Sequence, residues 1–348
     1  MGTHRSSWTR ASAAAALLVL GAACSAGADG TARPVTAPGR DQSRQHAVSP
    51  ARASAVSLSA SPAVWTLPEP VSGPVVLPDR NGFAVLGGLA TGDTSTSRIV
   101  QVDPANGDAR IAGSLAVAVH DSAGAVIGGR CYVFGGGSTE SVSLVQAWAA
   151  GPATEAARLP DARSDLAAAT LDGTTYVVGG YDGSAMTPAI LATTNGVSFR
   201  PVARLAIPVR YAAVAAVGST LWVVGGVTST SEGGTTDTDA VQKVDPVTGQ
   251  VTIAGRLPQP LSHATALLLG GQIFVLGGRS GTVPTAAILR LDPASGTLVP
   301  AGHLPEAVFD AGSVVAGGVG YLVGGEVSGP AEPLDTVVTL RLSKPAGS

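Results

Sequence analysis

Residues 257–278, LPQPLSHATALLLGGQIFVLGG, decide the fold, because the chain writes the same pattern six times. Each copy opens on a Leu, most often Leu-Pro, and reaches the first Gly of a doublet twenty residues later: Leu67/Gly87, Leu115/Gly135, Leu159/Gly179, Leu205/Gly225, Leu257/Gly277 and Leu304/Gly324. Inside every copy two turn residues fall thirteen and fourteen positions after the Leu, as in Asp172-Gly173 and Gly270-Gly271. Consecutive copies start 44 to 52 residues apart. Fixed internal spacing at such a period marks a repeat architecture, whose units bury their faces only against one another.

Working outward, each copy holds an Ala/Val-rich run, the turn, and a second run entering the doublet: FAVLGG, CYVFGG, TYVVGG, LWVVGG, IFVLGG, GYLVGG. Both runs are short and apolar on both faces, so they predict strands sandwiched between neighbours. A variable loop, a third strand and a hairpin follow. Three hairpins are near-identical, at Asp103-Pro104-Ala105-Asn106-Gly107, Asp245-Pro246-Val247-Thr248-Gly249 and Asp292-Pro293-Ala294-Ser295-Gly296. Pro early in the turn and Gly at its left-handed position suit a type I turn with a G1 bulge. Asn195-Gly196 serves in the third copy, and a fourth, more polar strand leads on to the next Leu. Six copies of four antiparallel strands predict an all-β chain, a six-bladed β-propeller spanning residues 57–348. The sixth copy ends after its third strand, so a strand around residues 62–66 is expected to complete the last blade and leave no open edge.

Leu-Pro, apolar strand, Gly-Gly, strand and Asp-Pro-x-x-Gly together resemble kelch repeats, in the superfamily that includes galactose-oxidase-like propellers. Kelch repeats usually carry a Tyr before the Asp-Pro and a Trp six residues after the Asp. Those places here hold Val102 and Ala109, Val244 and Val251, Leu291 and Leu298, with Phe199 alone keeping an aromatic. The resemblance is therefore to a divergent, exported, bacterial member.

Residues 1–23 have the form of an export signal: Arg5 and Arg10, a short apolar core, then Gly21-Ala22-Ala23. That core is too short to span a bilayer. Cys24 follows, as in a bacterial lipobox whose Cys is lipidated, although Leu20 stands four residues before it, not three. Residues 24–56, rich in Ala, Ser, Gly, Thr and Pro, predict a disordered tether. The expected address is the outer face of the cell membrane as a lipoprotein, or secretion. Without residues 1–23 the chain keeps 19 basic and 24 acidic residues. No basic patch argues for nucleic acid, and membrane contact is expected only through Cys24. The other cysteine, Cys131, sits in an apolar run, so no disulfide framework exists.

Equivalent offsets in a propeller form rings about its axis. Five and six residues after each Leu stand Ser72 and Gly73, His120 and Asp121, Ser164 and Asp165, Arg210 and Tyr211, Ser262 and His263, Phe309 and Asp310. The candidate ligand-binding residues at the channel mouth are therefore His120, Asp121, Arg163, Asp165, Arg210, Tyr211, His263 and Asp310. Asp165 or Asp310 suits a base, Arg210 a clamp on a carboxylate, and His120 or His263 a proton shuttle. The alternative is that they cap strands and pair among themselves, Arg210 with Asp165 and His120 with Asp121.

No cofactor or metal is expected. Copper-radical oxidases of the kelch type need two Tyr, two His and a Cys–Tyr cross-link, whereas Cys131 and Tyr132 are adjacent in one strand and point apart. Glu232, Asp237 and Asp239 in the long loop 227–240 suit solvent better than calcium. Nucleophile-elbow, phosphate-loop and zinc spacings are all missing. The expected partner is a protein, peptide or glycan at the envelope, met by a monomeric binding or scaffold module. The alternative, drawn from the resemblance to exported kelch-type sialate epimerases that use a carboxylate and an Arg, is an enzyme acting on a small sugar or sugar acid, epimerase- or mutarotase-like.

Overall fold

The computed structural model describes residues 56–327 and 332–343. The expected export signal, Cys24 and the tether through residue 55 lie outside the described residues. Strands are the only regular elements described; they form six blades of four antiparallel strands about one axis, with Gly151–Pro152 added parallel to the outer strand of blade 1, and three two-stranded ribbons besides. Blade 1 is Val75–Asp79, Gly82–Leu86, Arg98–Asp103 and Asp108–Ser114, from the innermost strand outward. Blades 2 to 5 repeat the order.

Blade 6 takes Gly312–Ala316, Val319–Val323 and Val337–Ser343 from the C-terminal end and Ser57–Pro62 from the N-terminal end. The closing strand is thus present but lies upstream of residues 62–66. It pairs from Ser57 opposite Ser343 to Pro62 opposite Val338. The burial of Leu58, 4% exposed between blades 5 and 6, explains the register: sliding the strand by one residue would turn Leu58 out.

The six apolar clusters correspond to the six interfaces between neighbouring blades, and Leu67, Leu115, Leu159, Leu205, Leu257 and Leu304 are each at most 5% exposed within them. The repeat therefore begins with a Leu because that residue wedges one blade against the next. The glycine doublet joins the same interface. In blade 5 the N–H of Gly278 donates to the Val308 carbonyl at 2.8 Å, and a Cβ on Gly277 would stand 2.3 Å from that oxygen. Only glycine tolerates so close an approach at φ 59°. The expected hairpins are also formed: Gly107, Gly249 and Gly296 have φ of 71–77° and donate back to Asp103, Asp245 and Asp292.

Two copies open Leu-Ala rather than Leu-Pro, and both compensate. Gln146 reaches from the third strand of blade 2 to bond the N–H and C=O of Val117, at 2.9 and 3.1 Å. Gln242 does the same to Ile207 from blade 4, at 3.0 and 2.9 Å. These amides, at most 1% exposed, pin loops that proline stiffens elsewhere.

Both hairpins of a blade lie at one end of the ring. The loops after the glycine doublets and the approaches to the innermost strands lie at the other, which is the mouth.

Candidate functional site

At the mouth the chain turns sharply before each innermost strand. Gly73, Asp121, Asp165, Tyr211, His263 and Asp310 all have positive φ, between 47° and 58°. Their backbones form a closed belt. Asp121 N–H donates to Gly73 C=O, Asp165 to Asp121, Tyr211 to Asp165, His263 to Tyr211, Asp310 to His263 and Gly73 to Asp310, at 2.7–3.0 Å. This left-handed conformation costs an ordinary L-residue roughly 1–2 kcal/mol, and glycine little. The chain nevertheless places glycine at one belt position in six and spends the others on Asp, Tyr and His. Strain retained in that way is a pointer to side-chain use.

Five of the expected residues, Asp121, Asp165, Tyr211, His263 and Asp310, line a central channel of about 200 Å³. Below them the walls are the small and aliphatic residues of the innermost strands, such as Ala168, Val214 and Ala266. Arg210 joins them through Asp165, its Nη1 donating to Oδ2 at 3.0 Å. The expected pairing of His120 with Asp121 is replaced. His120 lies on the rim with Nδ1 2.8 Å from Ser95 Oγ, and Asp121 accepts from the Tyr211 hydroxyl at 3.3 Å.

Arg163 does not line the mouth. It occupies the offset at which the other copies carry Val71, Val119, Val209, Leu261 and Val308, and it is fully buried like them. Its Nη1 donates to the carbonyls of Gly179 and Ala189. Burial holds its pKa below the usual guanidinium value, opposed by Asp161.

Electrostatics divide the mouth. Burial first, then the Asp165 charge, pushes the Asp121 carboxyl up, opposed by the Tyr211 hydrogen bond. Asp310 is driven well above its ordinary value by burial, then by Asp121 and Glu326. Glu326, 5% exposed, is raised chiefly by burial. Burial, Arg279 and Arg210 press His263 down to about 2, leaving a neutral ring. Tyr211 stacks on that ring at 3.8 Å between centroids. The His263 Nδ1 lies 2.7 Å from Ser262 Oγ, and Arg279 Nη2 donates to Nε2 at 3.0 Å. An imidazolium has no lone pair to accept that bond, so the contact itself requires a neutral histidine, whose one ring N–H is left for Ser262.

Arg279, Tyr181 and Glu326 were not among the sequence candidates. All three immediately follow a glycine doublet, and each pairs in a backbone bridge with the residue five after its copy's Leu: Ser262, Ser164 and Phe309. The same offset reasoning, applied after the doublets, locates them. Arg210 lies 5.1 Å from the Tyr181 ring and Arg279 5.1 Å from that of Phe309. Beside the channel, between the loops of blades 4 and 5, opens a cleft of about 540 Å³ that shares Tyr211 and His263 with it.

Among the described residues no group of three or more His, Cys, Asp or Glu is placed to hold a metal. Asp237 accepts from the Gly281 N–H, Asp239 pairs with Arg256, and Glu232 is exposed. Cys131 packs between blades 1 and 2 and Tyr132 between blades 2 and 3, on opposite faces. Among the larger aromatics, Trp148 and Trp222 are buried, Trp65 covers the Gly107 turn, and Tyr181 and Tyr211 stand at the mouth.

No family model and no curated protein matches the sequence. Solved structures do match the fold. One described as the structure of YjhT superposes with a TM-score of 0.66 at 14% identity, covering 80% of this chain and 99% of that one. At that identity the likeness concerns the fold.

Proposed function

We propose that this chain is an exported, divergent kelch-type propeller that serves as a binding module at the cell envelope. On this reading it is held by lipidation of Cys24 and meets a protein, peptide or glycan with the mouth face. The observation that carries the reading is that four of the belt's five side chains are already paired, Asp165 with Arg210, Asp121 with Tyr211 and His263 with Arg279, leaving Asp310 as the exception. Groups fixed by one another present a rigid set of donors and acceptors, which suits recognition. A general base needs a free lone pair aimed at substrate, and both His263 and Asp165 are engaged.

The second reading, an enzyme on a small sugar or sugar acid, is favoured by one observation. Asp121 and Asp310 both have raised pKa values beside an open channel, as a general acid requires. Calorimetric titration with envelope glycans, sugar acids and peptides tests the first reading, which expects saturable heat with unchanged ligand. Proton NMR of the sugars during the titration tests the second. Accelerated anomer or epimer exchange, lost in Asp121→Asn, would replace the binding reading with the enzymatic one.

A further inference from the structure

The cleft between blades 4 and 5 has two walls of different chemistry. Its inner end holds Arg210 and Arg279 around the Tyr211–His263 stack. Arg210 is matched by Asp165. Arg279 has no ion pair among the described residues, and its imidazole partner is neutral. Its guanidinium therefore has no directly bonded carboxylate, Asp310 and Glu326 acting on it only at longer range, and its forked donors match a carboxylate.

One side wall is the strand Thr235–Asp237, which pairs with Val227–Ser229 in a sheet of only two strands. Its other edge carries no backbone pairing among the described residues. Ser280 and Gly281 line the same cleft, and Asp237 Oδ2 accepts from the Gly281 N–H at 2.6 Å. An unpaired edge beside an unmatched cation calls for a ligand with backbone-like donors and acceptors that ends in a negative charge.

We propose that this cleft captures the C-terminal carboxylate of an extended peptide, its last residues running along Thr235–Asp237 and its carboxylate on Arg279. The inference rests on the binding-module reading and narrows its partner class. A phosphate dianion fits less well, because Asp165 already matches Arg210 and the Asp237 carboxylate lines the same cleft. A sugar acid would satisfy Arg279 but leave the strand edge unpaired.

The test is equilibrium dialysis of the protein against two pools of random tetrapeptides, one with free C-termini and one amidated, read by mass spectrometry. Free-acid members are expected to be retained roughly 10- to 100-fold better than their amides, the range of a charge-assisted, forked contact. Arg279→Gln should erase that ratio. Arg279→Lys, which keeps the charge but not the fork, should give an intermediate ratio, and thermal melts confirm that the variants fold. Equal retention of acids and amides, no retention of either pool, or displacement of acids by glucuronic acid at equal concentration would overturn the proposal. If both pools fail while a glycan or folded protein gives saturable heat in the titration above, this inference falls and the binding module stands.

Discussion

Asp310→Gly separates the two roles that a belt side chain can have. Asp310 sits at φ 52°, and glycine at such a position relieves about 1 kcal/mol of strain. Glycine also gives the unfolded chain more freedom, which offsets roughly 0.5–1 kcal/mol of that relief. The carboxyl has no side-chain hydrogen bond among the described residues, whereas its neighbours Asp121 and Asp165 have Tyr211 and Arg210. The backbone terms nearly cancel and no hydrogen bond is lost. At about pH 4, where ionisation of the unfolded carboxyl has barely begun, the expected change in unfolding free energy is therefore within about 1 kcal/mol, or some 2–4 °C in the midpoint.

The sign with pH follows from the raised pKa. The folded state holds the Asp310 proton more tightly than the unfolded state does, so wild-type stability falls as pH rises above the ordinary carboxylate value of 3.8. The variant lacks that penalty and should gain on the wild type as pH rises from about 4 toward the raised folded-state value. Urea unfolding at about pH 4 and about pH 8 measures the difference. If Asp310→Gly lost 3 kcal/mol or more, or its difference from wild type did not move with pH, the side chain would be structural and the strain argument would fail.

Gln242→Leu should cost about 2–3 kcal/mol, since two hydrogen bonds to Ile207 disappear together. Adding Ala206→Pro should return about 0.5–1 kcal/mol by stiffening the loop, as measured by chemical denaturation. Deleting residues 57–62 should cost more than about 3 kcal/mol, combining the burial of Leu58 with lost strand pairing. The open edge should also appear as higher oligomers in size-exclusion chromatography. The His263 ring protons, followed by NMR, should show no titration between pH 5 and pH 8; a midpoint near 6.5 would refute the Arg279 contact.

The blades were legible because every constraint on them recurs six times at fixed spacing, so chance matches are filtered by register. Five of the eight mouth residues were found in the channel by the same logic. Arg163 escaped it because one offset carries five aliphatic residues and one arginine, and only the packing shows that the arginine follows the aliphatics inward. Arg279 stands at a position that reads in the sequence as the start of a loop, whereas backbone pairing to Ser262 makes it part of the rim. The closing strand lay a few residues upstream of its expected place. Its register is set by the burial of Leu58 against blade 5, a contact no local pattern encodes.

The central claim is that ligand recognition belongs to the mouth face and to the side chains held on its belt. Thermal-shift measurement of the wild type, of Asp310→Gly combined with Arg279→Gln, and of Val247→Ser tests it across one panel of peptides, glycans and sugar acids. Val247 is 88% exposed on a hairpin at the opposite end of the ring. Ligands that raise the midpoint of the wild type and of Val247→Ser, but not of the mouth variant, are the expected result. A ligand that stabilises the mouth variant as much as the wild type, or a panel that shifts none of the three proteins, would contradict it.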